Sequence, residues 1–123
     1  MLNVTMPSVK PKEAFGLFFD QAFLEAGIGK KSFANPNPQS KFKLGSLSGL
    51  LLHAVPAEMI VLAISVPGGR DAIAVLNYFP SGSGTKLVIN AVNVPSTEAG
   101  DKIVASLEAI VGAYRSRFPK SSE

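Results

Sequence analysis

The 123-residue chain has no cysteine, no tryptophan and a single histidine, His53. Without cysteine there can be neither a disulfide framework nor a thiolate zinc site. One imidazole leaves little from which to build another metal centre, so no metal or cofactor is expected. Charge is sparse in both signs, with 12 Lys and Arg against 9 Asp and Glu, a formal net of +3. The cations are spread out except for Lys30/Lys31 and Lys41/Lys43, which flank one loop. Nucleic-acid binders usually carry a dense basic stripe with interleaved aromatics or a named motif. Neither is present, and no nucleic-acid partner is expected. Long apolar runs are missing too, although the chain is 46% hydrophobic with a mean hydropathy of +0.26. His53, Glu58 and Pro67 interrupt the longest ones, so none reaches the roughly 18 residues of a membrane span. The start, Met1-Leu2-Asn3-Val4, lacks the charged and apolar regions of a secretory signal. These features together fit a cytoplasmic protein.

What is present is a strong pattern. From Thr97 to Phe118, Ile103, Leu107, Ile110 and Tyr114 recur at helical spacing, with Val104, Val111 and Phe118 as an adjacent stripe. Ser96 or Thr97 can cap this helix, Pro119 stops it, and Arg115 and Arg117 suit the negative end of its dipole. Ala99, Ala105, Ala109, Gly112 and Ala113 are small enough to let its backbone approach a sheet closely. Before it, Leu2 to Met6 alternates as a short strand, and Pro11 to about Ala26 reads as one helix closed by Gly27-Ile28-Gly29. A loop follows to Ser40, stiffened by Asn35-Pro36-Asn37-Pro38. Five strand-like segments then run from Lys41 to Val94 with only turns between them, which implies an antiparallel meander rather than βαβ units. The expected architecture is α+β, a curved antiparallel sheet around a long C-terminal helix. It forms a single domain over residues 1–119, with residues 120–123 as a disordered tail.

Several segments, taken in order, resemble the START-like helix-grip (SRPBCC) superfamily, most closely its branch of activators of the ninety-kilodalton heat-shock protein ATPase. They are Lys41-Phe42-Lys43-Leu44, Ser48-Gly49-Leu50-Leu51, Val55-Pro56-Ala57-Glu58-Met59-Ile60-Val61, Gly84-Thr85-Lys86-Leu87 and Val94-Pro95. The resemblance covers essentially the whole chain and rests on the order of these segments. It departs from the family where tryptophans often stand: Ile64 and the Gly100-Asp101-Lys102 region occupy those places.

The resemblance implies a ligand held between the concave sheet face and the last helix. Strand alternation, phased on Leu87 and Ile89 facing the helix, also turns Phe42, Leu44, Ile60, Leu62, Ile64, Ala74, Leu76 and Tyr78 inward. The expected ligand-lining set is Phe42, Leu62, Ile64, Leu76, Tyr78, Leu87, Ile103, Leu107 and Tyr114, with the two tyrosines as polar handles. The same side chains would equally fill one another's space as a packed core. On the outer face the phasing places Val61, Ala63, Ile73, Val75, Val88 and Val92, relieved only by Lys86, Asn90, Asn77 and Ser65. A solvated sheet face should be more polar, so Val61, Ile73, Val75 and Val88 are candidate contacts for a homodimer or another protein partner. β-propensity alone would also place valine and isoleucine there.

Catalysis finds little support. The carboxylates scatter at helix edges and turns, and His53 sits in an apolar strand without an evident orienting partner. Gly27 to Ser32 is only superficially like a phosphate loop, since it follows a helix and has lysine where Ser or Thr is required. The leading expectation is non-catalytic binding of a small hydrophobic ligand. The alternative is a protein-interaction or co-chaperone-like module docking through the convex face.

Overall fold

In the computed structural model, which describes residues 1–122, two-residue alternation builds six strands: β1 (Leu2–Met6), β2 (Lys41–Leu44), β3 (Leu47–Val55), β4 (Met59–Ile64), β5 (Ala72–Ser81) and β6 (Gly84–Val92). They form one strongly curled antiparallel sheet in the order β1-β6-β5-β4-β3-β2, so the first strand closes onto the last. The register turns alternate residues to opposite faces. Val4 pairs with Leu87, Leu87 with Tyr78, Leu76 with Ile60 and Ala74 with Leu62, and these concave-face side chains are all buried. The architecture is the expected α+β helix grip.

Three helices accompany the sheet, α1 (Pro11–Leu17), α2 (Gln21–Gly27) and α3 (Glu98–Arg117); α1 and α3 pack on it, and α2 packs on α3. The single helix expected from Pro11 to Ala26 is therefore two. Its apolar spacing runs on through Phe18, but Asp20 takes extended backbone angles and accepts the Phe23 N–H at 3.1 Å, starting a second helix. A side chain that satisfies an orphan helix donor in this way prefers the cap to the helix interior. Thr97 occupies the N-cap of α3, although its side chain makes no capping bond.

α3 is buried along Ile103, Leu107, Ile110, Val111 and Tyr114, joining the sheet and α2 in one apolar cluster. Each such side chain removed from water contributes about 1.5–3 kcal/mol. The stripe read as Val104, Val111 and Phe118 is divided, with Val111 buried and Val104 exposed. Of the small residues expected against the sheet, Ala113 makes the close approach, and it does so against α2. A Cβ added at Gly27 would lie 2.2 Å from the Ala113 Cβ. Gly112 and Ala105 face solvent.

Both sheet edges are partly closed. Phe33 exchanges backbone bonds with Lys43 on β2, and Ser122 exchanges them with Thr5 on β1. Residues 120–123, expected as a disordered tail, thus include a residue paired to the sheet, while Glu123 lies outside the described residues. Covering an edge removes a template for unwanted strand pairing.

Candidate functional site

The nine residues expected to line a ligand space do converge. Phe42, Leu62, Ile64, Leu76, Tyr78 and Leu87 come from the sheet and Ile103, Leu107 and Tyr114 from α3, and all belong to the buried cluster. They meet as packed neighbours, none more than 4% exposed. The two tyrosines, expected as handles for a ligand, partner each other. Tyr114 donates its hydroxyl proton to the Ala14 carbonyl at 2.6 Å, and the Tyr78 hydroxyl lies 3.0 Å from that of Tyr114. A hydroxyl has one proton to give, so Tyr78 is the donor to Tyr114. Phe15 packs edge-on to Tyr78, and the Phe23 ring stands 4.9 Å from that of Tyr114. Burial pushes both phenols above the ordinary tyrosine range. For Tyr78 the bond to Tyr114 opposes the rise, and for Tyr114 the proximity of Tyr78 adds to it.

The convex face presents the opposite picture. Register aligns Val92, Ile73, Ala63 and Leu50 in one row across β6, β5, β4 and β3, with Asn90, Val75, Val61 and His53 in the next. Val92 is 57% exposed and Leu50 37%, while Val61, Ile73, Val75 and Val88 are half-buried. Ala63, between Leu50 and Ile73, is shaded by its larger neighbours and counts as buried. Asn77 and Asn90 supply uncharged polarity, and Lys86 stands at one side opposite Phe79. The middle of the face is therefore apolar and neutral, and it carries the four residues expected as interaction contacts.

Open grooves flank these two regions. One of about 640 Å³ lies at the start of α3, with Leu47 and Ile103 in its lining and Asp71, Glu98 and Lys102 around it. A second, of about 690 Å³, runs between Lys10–Pro11 and the β3–β4 turn and includes Met59, Tyr78 and Phe79. A third, of about 380 Å³, lies along β2 beside Phe33, Phe42 and Leu50. Ile103, Tyr78 and Phe42 are thus the members of the expected lining set that these grooves reach.

His53 is exposed on the convex face, in register with Val61 beside a bulge in β3, and so points away from the space under α3. Ser32, the end of the phosphate-loop-like run, is buried with its hydroxyl oxygen accepting the Gly45 N–H at 2.9 Å, a structural tie. Among the described residues no group of His, Asp or Glu is placed to hold a metal ion, and no helix is long and apolar enough to cross a membrane. Two features were beyond sequence reasoning, the Tyr78–Tyr114 bond and the Phe33–Lys43 bridge. Each joins segments whose approach depends on the complete fold.

No protein-family model matches the chain, and no curated protein matches it. Solved structures do share its fold. A protein from Chromobacterium violaceum superposes with a TM-score of 0.71 at 15% identity, over 95% of each chain. An HSP90 activator from Plasmodium falciparum gives 0.67 at 19% identity, over 78% of this chain and 74% of that one. The Aha1 dimer from Colwellia psychrerythraea gives 0.66 at 8% identity, over 92% and 96%. At these identities the likeness is one of fold, and the START-like resemblance seen in the residues holds at that level.

Proposed function

We propose that this domain, residues 1–119, is a non-catalytic interaction module that pairs with a second copy of itself through the neutral centre of its convex sheet face. The observation that carries the reading is the in-register apolar row Val92–Ile73–Ala63–Leu50, continued by Val75 and Val61 on the solvent side of the sheet. Contiguous apolar surface of this kind marks contact sites. The absence of like charges in the middle of the face lets two copies approach. Two structural neighbours support the reading by kind: one is described as a dimer and one as an HSP90 activator. A co-chaperone role is its narrower form, and a cytoplasmic setting suits a chain without cysteine.

The cysteine-free sequence allows a direct test. A thiol introduced by Asn90→Cys lies beside Val75 on the convex face, and one introduced by Gly112→Cys lies on the solvent side of α3. The reading predicts that labelling of the first slows as protein concentration rises while labelling of the second does not. Equal, concentration-independent labelling of both contradicts it.

A second reading, binding of a small apolar ligand, is supported by the groove at the start of α3, because it leads onto Leu47 and Ile103 at the margin of the core. Native mass spectrometry of the purified protein tests it. Added mass that disappears on denaturation supports a ligand, and a bare protomer or dimer counts against one.

A further inference from the structure

Of the lysine pairs that stand out in the sequence, Lys41 and Lys43 stand at one corner of the convex face. Lys41 and Lys43 alternate on the edge strand β2, so their side chains emerge on the same side about 7 Å apart. The loop carrying Lys30 and Lys31 is fastened to the end of that strand. Gly45 N–H donates to Ser32 Oγ, and Phe33 and Lys43 exchange backbone bonds of 2.8 and 2.9 Å. None of the four ammonium groups is ion-paired among the described residues. Glu25 of α2 reaches that loop, its carboxylate accepting the Lys31 backbone N–H at 2.8 Å.

Beside these cations lies the groove of about 380 Å³, lined by Phe33, Phe42, Ser48, Gly49, Leu50 and Ser65 together with Lys41 and Lys43, and by no carboxylate. Phe33 and Leu50 are each 37% exposed there. Lysine on an edge strand commonly deters edge-to-edge pairing. That role does not account for two exposed large apolar side chains beside the lysines. Lys43 spends its N–H and C=O on Phe33, and the alternation of the ladder turns those of Lys41 to the same edge. There they have no partner among the described residues.

We propose that this corner binds an extended acidic segment of another protein. Alternate residues of an extended segment present side chains to one side at the same spacing of about 7 Å as the lysines. Carboxylates and one large apolar side chain at alternate positions therefore reach Lys41, Lys43 and the groove between Phe33 and Leu50 together. Charge complementarity selects this occupant: the corner is cationic and apolar, whereas the neutral centre of the face suits a second copy. The site goes beyond the pairing proposed above and shares Leu50 with the end of its apolar row, so Lys41, Lys43 and Phe33 are the residues that test it apart from that pairing.

The probe is a fluorescein-labelled peptide with Glu-Thr-Phe-Thr-Glu at its centre, followed by anisotropy at low and moderate salt. Saturable binding is expected, weakening by about tenfold for the full-length Lys41→Gln/Lys43→Gln variant and for a peptide with Gln in place of Glu. Leu50→Ser should weaken it comparably. Where Leu50→Ser impairs folding, as judged by circular dichroism, Phe33→Ser takes its place. Salt should weaken binding of the acidic peptide more than that of the Gln peptide. Equal binding of the Glu and Gln peptides overturns the proposal. So does binding to phosphatidylserine vesicles that depends on the lysines and not on Leu50, which would make the corner a membrane contact. Because the lysine variant leaves the neutral centre intact, sedimentation of the same sample shows whether self-pairing stands or falls independently.

Discussion

The hydroxyls of Tyr78 on β5 and Tyr114 on α3 lie 3.0 Å apart inside the core, and Tyr114 passes its proton on to the Ala14 carbonyl of α1 at 2.6 Å. One chain of two bonds therefore ties the sheet to two helices. Its polarity makes the two residues unequal. Tyr114→Phe strands both a buried carbonyl and the Tyr78 proton, and should cost about 1–3 kcal/mol on top of the small packing change. Tyr78→Phe leaves the Tyr114–Ala14 bond intact and should cost only about 0.5–1.5 kcal/mol. Urea titrations of the two single variants check the order. Equal losses would mean the donor assignment is wrong.

The same pair sets an alkaline limit. Burial raises both phenols above the ordinary value of 10.0, and the unfolded chain returns them to it. The unfolded state then releases protons first, so the contribution to stability is complete below about pH 10 and is lost as pH rises through the folded values. These are the chain's two tyrosines. Phenolate absorbance should consequently appear together with loss of the circular dichroism signal, in one cooperative step. A phenolate signal at pH 10 in the folded protein would contradict the buried pair.

Contact between α2 and α3 depends on the missing side chain of Gly27. Gly27→Ala places a methyl 2.2 Å from the Ala113 Cβ and should destabilise by about 1–3 kcal/mol through forced separation of the helices. Gly112→Ala meets nothing within 4 Å and should stabilise by about 0.5–1 kcal/mol through helix propensity. Thermal unfolding of the two variants gives shifts of opposite sign if the packing is as described.

A filled interior makes Leu107→Trp an overpacking change. Leu107 is 4% exposed and sits within the buried cluster. The larger ring should cost about 1–3 kcal/mol. A Trp variant as stable as the parent would reveal space under α3 and favour the small-ligand reading.

Much of this was legible in the chain. Period-two alternation from Lys41 onward told the inner face of the sheet from the outer, because a strand with one buried side must place its apolar residues every second position. Leu62 and Val61 illustrate both outcomes. The break between α1 and α2 was not legible, since Ala14, Phe15, Phe18, Ala22 and Phe23 keep apolar spacing across it and only the backbone turn at Asp20 separates them. Ala113 reads as a small contact residue, but which surface it meets depends on how α2 docks. Tyr78 and Tyr114 stood out as buried hydroxyls in need of partners. That each answers the other is a property of two segments brought together over 36 residues. Whether the inward residues leave a space depends on close packing in three dimensions, which no periodicity encodes.

The convex face carries the central claim, and sedimentation velocity of the wild type against Val75→Lys tests it most directly. Val75 lies between Val61 and Asn90 in the middle of the face and is half-exposed, so a lysine there can keep its ammonium in water while placing like charges face to face in a pair. The account predicts a concentration-dependent dimer for the wild type and a folded monomer for the variant. A wild type that sediments as a monomer at every concentration, or a variant that dimerises as well as its parent, would contradict it.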